Sequence, residues 1–123
     1  MVAAISGNQD RDVYQYRATI VRIIDGDTVE AEIDLGFDVH VRQTLRLARI
    51  NAPEPRGATR EAGDDATIHL ANLIEDGGRI MIHTEQDKRG SFGRYLATLW
   101  GERGIRSINQ QMIEDGHAVE YRG

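Results

Sequence analysis

Three short segments of this sequence put oxygen-bearing side chains and arginines where they could work on a phosphate ester. The first is Asp25-Gly26-Asp27-Thr28. Alone it reads as a tight turn, because Asp-Gly is a common hairpin dipeptide, but Asp27 adds a second carboxylate that a turn does not need. The second, RQTLRLARINAPEP over residues 42–55, carries Arg46 between Leu45 and Leu47. Asn51 and Glu54 follow on a stretch stiffened by Pro53 and Pro55, and alone this is a polar loop after a strand. The third, GSFGR over residues 90–94, joins glycines that allow close backbone approach to the flat ring of Phe92 and to Arg94. Taken together, the three have a chemical sense. Cleavage of a phosphodiester needs a divalent cation, a base to activate water, and positive groups for the charge that builds on phosphorus. Oxygen ligands suit a hard cation such as calcium. The chain has no cysteine, which excludes a disulfide framework, a thiolate zinc site and a cysteine nucleophile.

Few elements are available to position these groups. Residues 14–24, YQYRATIVRII, are rich in β-branched and aromatic types that favour a strand, and Asp25-Gly26 signals a hairpin after it. Val29, Ala31, Ile33 and Leu35 then alternate with Glu30, Glu32 and Asp34, the pattern of a strand with one wet face. Val39–Ile50 reads as a longer third strand, ended by Pro53 and Pro55. Its alternation puts Arg46 on the face opposite Leu45 and Leu47. After Gly57 the period lengthens. Ala62, Ala66, Leu70 and Leu73, widened by Ile74, predict a helix that Gly77-Gly78 stop. Arg79–Thr84 and Tyr95–Trp100 read as two further strands, with Trp100 in the core. Ser107 stands where it would cap a short helix ending at Gly116. Five strands with a helix after the third suit a small closed barrel of the oligonucleotide/oligosaccharide-binding (OB-fold) type. Strand count alone would also fit an open α+β sheet.

The chain's 123 residues fit one domain, here residues 13–123 after a polar lead-in over 1–12. Twenty acids against 15 bases give a net charge of −5, which argues against a protein that coats nucleic acid by bulk attraction but not against a local basic cleft. Lys88 is the only lysine; arginine offers a planar fork suited to phosphate, and a biased genome would give the same ratio. No apolar run is long enough for a membrane span, and the first ten residues lack the features of a signal peptide. A cytoplasmic monomer with no membrane partner is expected, export by another route aside. His40, His69, His83 and His117 have no metal-ligand spacing, and Asp64 and Asp65 read as solvated helix residues.

The order I-D-G-D-T-V, L-R-L, N-A-P-E and F-G-R resembles the staphylococcal nuclease family over roughly residues 16–119. The resemblance implies an OB-fold-like five-stranded barrel and a calcium-dependent nuclease acting on DNA or RNA with little sequence preference, leaving a 3′-phosphate. It also implies roles. Asp27 would be a metal-ligating carboxylate, and Ala52 would ligate through its backbone carbonyl. Arg46 and Arg94 would bind and stabilise the reacting phosphate, Glu54 would activate or position water, and Phe92 would lie near the substrate in place of a tyrosine. The departure is Asn51, where the best-known members carry a second metal-binding aspartate. An amide oxygen still ligates calcium but brings no charge, so weaker affinity is expected. The resemblance also implies a further helix beyond the point where this sequence stops. The alternative reading is an OB-fold module that binds nucleic acid and cleaves it poorly.

Overall fold

The computed structural model of the chain describes residues 13–74, 77–87, 94–101 and 104–122. The lead-in expected over residues 1–12 lies outside the described residues, as does Phe92. Five strands close a barrel in the order β1 (Gln15–Asp25), β2 (Thr28–Asp34), β3 (His40–Leu47), β6 (Tyr95–Trp100) and β5 (Arg79–Gln86). All neighbours run antiparallel except β3 and β6, which run parallel and close the barrel by a short contact from Leu45 opposite Tyr95 to Leu47 opposite Ala97. A two-residue strand, β4 (Ile50–Asn51), leaves the barrel and pairs with β7 (Val119–Glu120). Helix α1 (Arg60–Leu73) follows a single 3-10 turn over Gly57–Thr59, and α2 (Ile108–Glu114) sits between β6 and β7.

Alternation is what fills the barrel. Val29, Ala31 and Ile33 from β2, Leu45 and Leu47 from β3, Ile80 and Ile82 from β5, and Ala97 and Leu99 from β6 all turn inward. Ala66 and Leu70 of α1 and Ile108 and Met112 of α2 join the same core. Each fully buried leucine or isoleucine contributes roughly 1.5–3 kcal/mol by leaving water. The pattern overreached at four places. Leu35 is 41% exposed, because β2 ends at Asp34, whose Oδ1 accepts the Gly36 N–H, and the chain has already entered the turn. Ala62 faces solvent and the adjacent Gly63 is buried in its stead. Trp100 is only half-buried at the strand end. The third strand does not run on to Ile50: Arg49 takes a positive φ of 62°, and this corner turns Ile50 and Asn51 away to meet β7.

Two local devices fix that corner. Ser107 Oγ accepts the Gln110 N–H and caps α2 as its position predicts. Asn109, buried in α2, accepts the Leu99 N–H and donates through Nδ2 to the carbonyls of Ala48 and Ala97, all at 3.0 Å. A buried amide costs about 1–3 kcal/mol when left unpaired, and here both ends are satisfied. It pins the helix to β6 and to the residue where β3 ends.

Candidate functional site

The β1–β2 turn builds the first part of the site. Asp25 pairs with Thr28 across it, leaving Gly26 and Asp27 as a two-residue connection. Asp25 Oδ1 accepts the Asp27 N–H at 3.0 Å, an Asx turn that fixes the second carboxylate. Gly26 is required by space here: a Cβ on it would stand 2.7 Å from the Ala66 Cβ and 2.8 Å from that of Ala52. The turn, the residue after β4 and helix α1 therefore meet along a seam of small residues. Gly63 extends the seam, since a Cβ there would come within 2.4 Å of the Glu54 carbonyl carbon.

Asp27 is 8% exposed and well partnered. Its Oδ1 accepts the Thr28 hydroxyl at 3.0 Å, and its Oδ2 accepts the Ala52 N–H at 2.9 Å. The group tied to Asp27 at position 52 is thus the N–H. The Asp27 carbonyl accepts the Leu47 N–H at 2.7 Å, which draws the end of β3 onto the turn. Burial, with the Asp27 carboxylate beside it, pushes the Asp25 carboxyl above its ordinary range, although the Asp27 N–H works the other way.

Arg46 lies opposite Thr28 in the β2–β3 register, on the face away from Leu45 and Leu47 as alternation predicts. Its guanidinium is held on several sides. Nη1 donates to the carbonyls of Leu47 at 3.1 Å and Ile50 at 3.0 Å. Nη2 donates to Asn51 Oδ1 at 2.9 Å and stands 3.5 Å from Asp27 Oδ2. Its Cζ stands over the Tyr121 ring, 5.5 Å from the ring centroid. Two Nη1 hydrogens and one Nη2 hydrogen are therefore engaged. Nη2 is thus shared between Asn51 and Asp27, and among the described residues the Nε–H is the donor left to meet a phosphate.

The structure thus gathers Asp27, Arg46, Asn51 and the Ala52 backbone, and joins Asp25 to them. It does not bond Glu54 or Arg94 into that cluster. The Glu54 side chain is 67% exposed and pairs with Arg56 at 3.4 Å. Its backbone carbonyl accepts the Thr59 hydroxyl at 2.7 Å. Arg94, next to the start of β6, bonds Asp87 Oδ2 through Nε at 3.3 Å and Nη2 at 3.2 Å.

The donors offered to a cation are all oxygens, as calcium requires: the carboxylates of Asp25 and Asp27 and the Asn51 amide. Asp25 is raised chiefly by burial and further by the adjoining Asp27 carboxylate, an unfavourable setting for charge that an added cation would relieve. In this respect the residues fit such an ion. Among the described residues no group of three or more His, Asp or Glu side chains gathers as a metal site, so backbone and water oxygens would complete the shell.

Sequence reasoning missed several participants. Tyr121 and Asp87 stand in segments with no motif of their own, and Asn109 carries no pattern signal inside a seven-residue helix. His69 and His117, far apart in sequence, stack with ring centroids 4.3 Å apart, and His69 Nε2 lies 2.6 Å from Asp115 Oδ2. That bond holds the Asp115 carboxyl below its ordinary range. Asp64 and Asp65 are solvated as expected.

Residues 44–123 match the family model described as staphylococcal nuclease homologue. Among individual proteins, the chain is 32% identical over 115 residues to Protein ParB of Escherichia coli, covering 88% of this chain and 59% of that protein. It is 31% identical over 116 residues to Micrococcal nuclease of Shigella flexneri, covering 87% and 59%. With Endonuclease YhcR of Bacillus subtilis (strain 168) it shares 24% identity over 115 residues, covering 87% of this chain and 9% of that one. The chain spans less than two thirds of the length of each of these relatives.

Proposed function

The chain belongs to the staphylococcal nuclease family, and from that premise we propose that it is a calcium-dependent nuclease hydrolysing DNA or RNA with little sequence preference. The single observation that supports this most is the Arg46 guanidinium, which bonds Asn51 and faces the buried Asp27 carboxylate at 3.5 Å. A fork beside oxygen donors is what a phosphate held against a cation needs. A module that only binds nucleic acid would have no need to hold an arginine on two carbonyls and an amide.

Asp27, Asn51 and the Ala52 carbonyl, with Asp25 adjoining, are the groups that would hold calcium. When bound, the ion supplies charge neutralisation for the phosphate oxygens. Arg46, already oriented, takes a phosphate oxygen through its Nε–H, so little ordering remains to be done on binding. Glu54 is the base. It takes a proton from the water whose oxygen attacks phosphorus, and its exposed position leaves it open to solvent. Arg94, on turning from Asp87, supplies a second fork for the charge that develops as the phosphorus–oxygen bond of the leaving group breaks. The leaving oxygen takes a proton from solvent water and departs as a hydroxyl, and the other product keeps a 3′-phosphate. Phe92 offers a flat face to the substrate. The active species is a monomer with nucleic acid as its only partner.

The test is direct. Single-stranded DNA and RNA are incubated with the protein, with calcium or with chelator, and the fragments are resolved and end-labelled. Chelator-sensitive cleavage to 3′-phosphate ends supports the reading. Binding without cleavage under all conditions replaces it with the binding module.

A further inference from the structure

The ring of Tyr121 lies over the Arg46 guanidinium although almost half of the residue, 48%, faces solvent. Its placement is set by the backbone. The Tyr121 N–H donates to the Arg49 carbonyl at 2.9 Å, directly after the pairing of Val119 with Asn51 and of Glu120 with Ile50. One short segment therefore holds Asn51, the carbonyl-bearing corner that Arg46 grips, and the ring above Arg46.

The planar edges of the guanidinium are engaged by Leu47, Ile50 and Asn51, which stops rotation in the plane but not tilting out of it. The Tyr121 ring, with the Arg46 Cζ over its π face at 5.5 Å, adds a cation–π attraction from outside that set of hydrogen bonds.

Building on the nuclease reading, we propose that Tyr121 is a positioning residue for Arg46: it holds the guanidinium so that its Nε–H meets the scissile phosphate. The aromatic ring carries this role, and the hydroxyl does not. A ring that stacked on a nucleobase instead would act on substrate independently of Arg46.

The experiment compares Tyr121→Phe and Tyr121→Leu, each in the wild-type and Arg46→Ala backgrounds. The readouts are kcat/KM on single-stranded DNA and Kd for the same DNA in chelator. Tyr121→Leu is expected to lower kcat/KM and weaken binding by about 3- to 10-fold, and Tyr121→Phe to restore both. In the Arg46→Ala background Tyr121→Leu costs nothing further, because the two residues act as a unit. An equal loss in both backgrounds overturns the proposal in favour of base stacking. A second arm needs no substrate. In the free protein the NMR resonance of the Arg46 Nε–H is shifted upfield by the ring in wild type and Tyr121→Phe, and moves downfield in Tyr121→Leu. No movement overturns the proposal. If wild type cuts no nucleic acid, the nuclease reading fails by itself and this arm still decides whether the ring orders the arginine.

Discussion

Asn51 Oδ1 accepts a hydrogen bond from Arg46 Nη2 at 2.9 Å. The one residue that departs from the expected metal-binding set is thus the partner of the arginine proposed to bind phosphate. This changes what an acid at that position would meet. A carboxylate in place of the amide would stand near Asp27, yet it would first face the Arg46 cation.

Asn51→Asp is therefore expected to leave the melting temperature of the metal-free protein nearly unchanged. Calcium should then half-saturate its stabilising effect at a concentration on the order of 10-fold lower, about 1.4 kcal/mol. Thermal melts across a calcium series measure both, since ligand that binds the folded form raises its stability by mass action. A marked fall in metal-free melting temperature would show that Arg46 does not offset the new charge.

For Arg94→Ala, kcat should fall by on the order of 10²–10³. The variant also deprives Asp87, whose side chain is 8% exposed, of a cation at 3.2 Å. A loss of about 1 kcal/mol, or roughly 4 °C in melting temperature, should accompany the rate. Adding Asp87→Asn to the Arg94→Ala variant should recover the stability and leave the rate low. Recovery of turnover in the double variant would remove Arg94 from the chemistry.

Glu54→Gln keeps size and hydrogen bonding but removes the basic form. Because the side chain faces solvent beside Arg56, the melting temperature should stay within about 1 °C, while kcat falls by ~10²–10⁴. Rate against pH would show the carboxylate limb vanish in the variant. Unchanged turnover across that limb rules out Glu54 as the base.

Acid sensitivity should track Asp115. His69 donates to its carboxylate, and the Gln111 side chain adds a second bond, so its folded value lies below the ordinary 3.8. An acid depressed in the fold stabilises it above the unfolded value and loses that stabilisation as pH falls through the folded one. Wild type should therefore lose stability below about pH 3.8. Asp115→Asn should flatten that part of the curve and alter little near neutrality. Urea unfolding across the acid range gives the slope directly; parallel curves for the two proteins would count against the bond.

Where side chains repeat at a fixed period, the sequence sufficed. Val29, Ala31, Ile33, Leu45 and Leu47 announce the inward faces, and with them the exit of Arg46. Ser107 announces its helix through the chemistry of a cap. The β4–β7 pair was invisible because two residues are too few to show alternation, and because its register depends on Arg49 taking a left-handed conformation. For the same reason Tyr121 could not be placed near Arg46. Asp27, Arg46 and Asn51 were legible as types in order, but the Arg46–Asn51 bond depends on that corner. The pairing of Arg94 with Asp87 was hidden too, as it forms across the β5–β6 edge from residues whose neighbours show no period.

The seam of Gly26, Ala52, Ala66 and Gly63 bears on transplantation. Its members come from a turn, a loop and a helix, and neither glycine has a methyl group's room to spare. The turn and the 50–55 loop therefore do not form a portable cassette. Grafted onto another five-stranded barrel, they would arrive with the right side chains and the wrong spacing unless the helix carried Gly63 and Ala66 to the same depth. The smallest unit that could be moved between scaffolds is the loop pair together with the helix that spaces it.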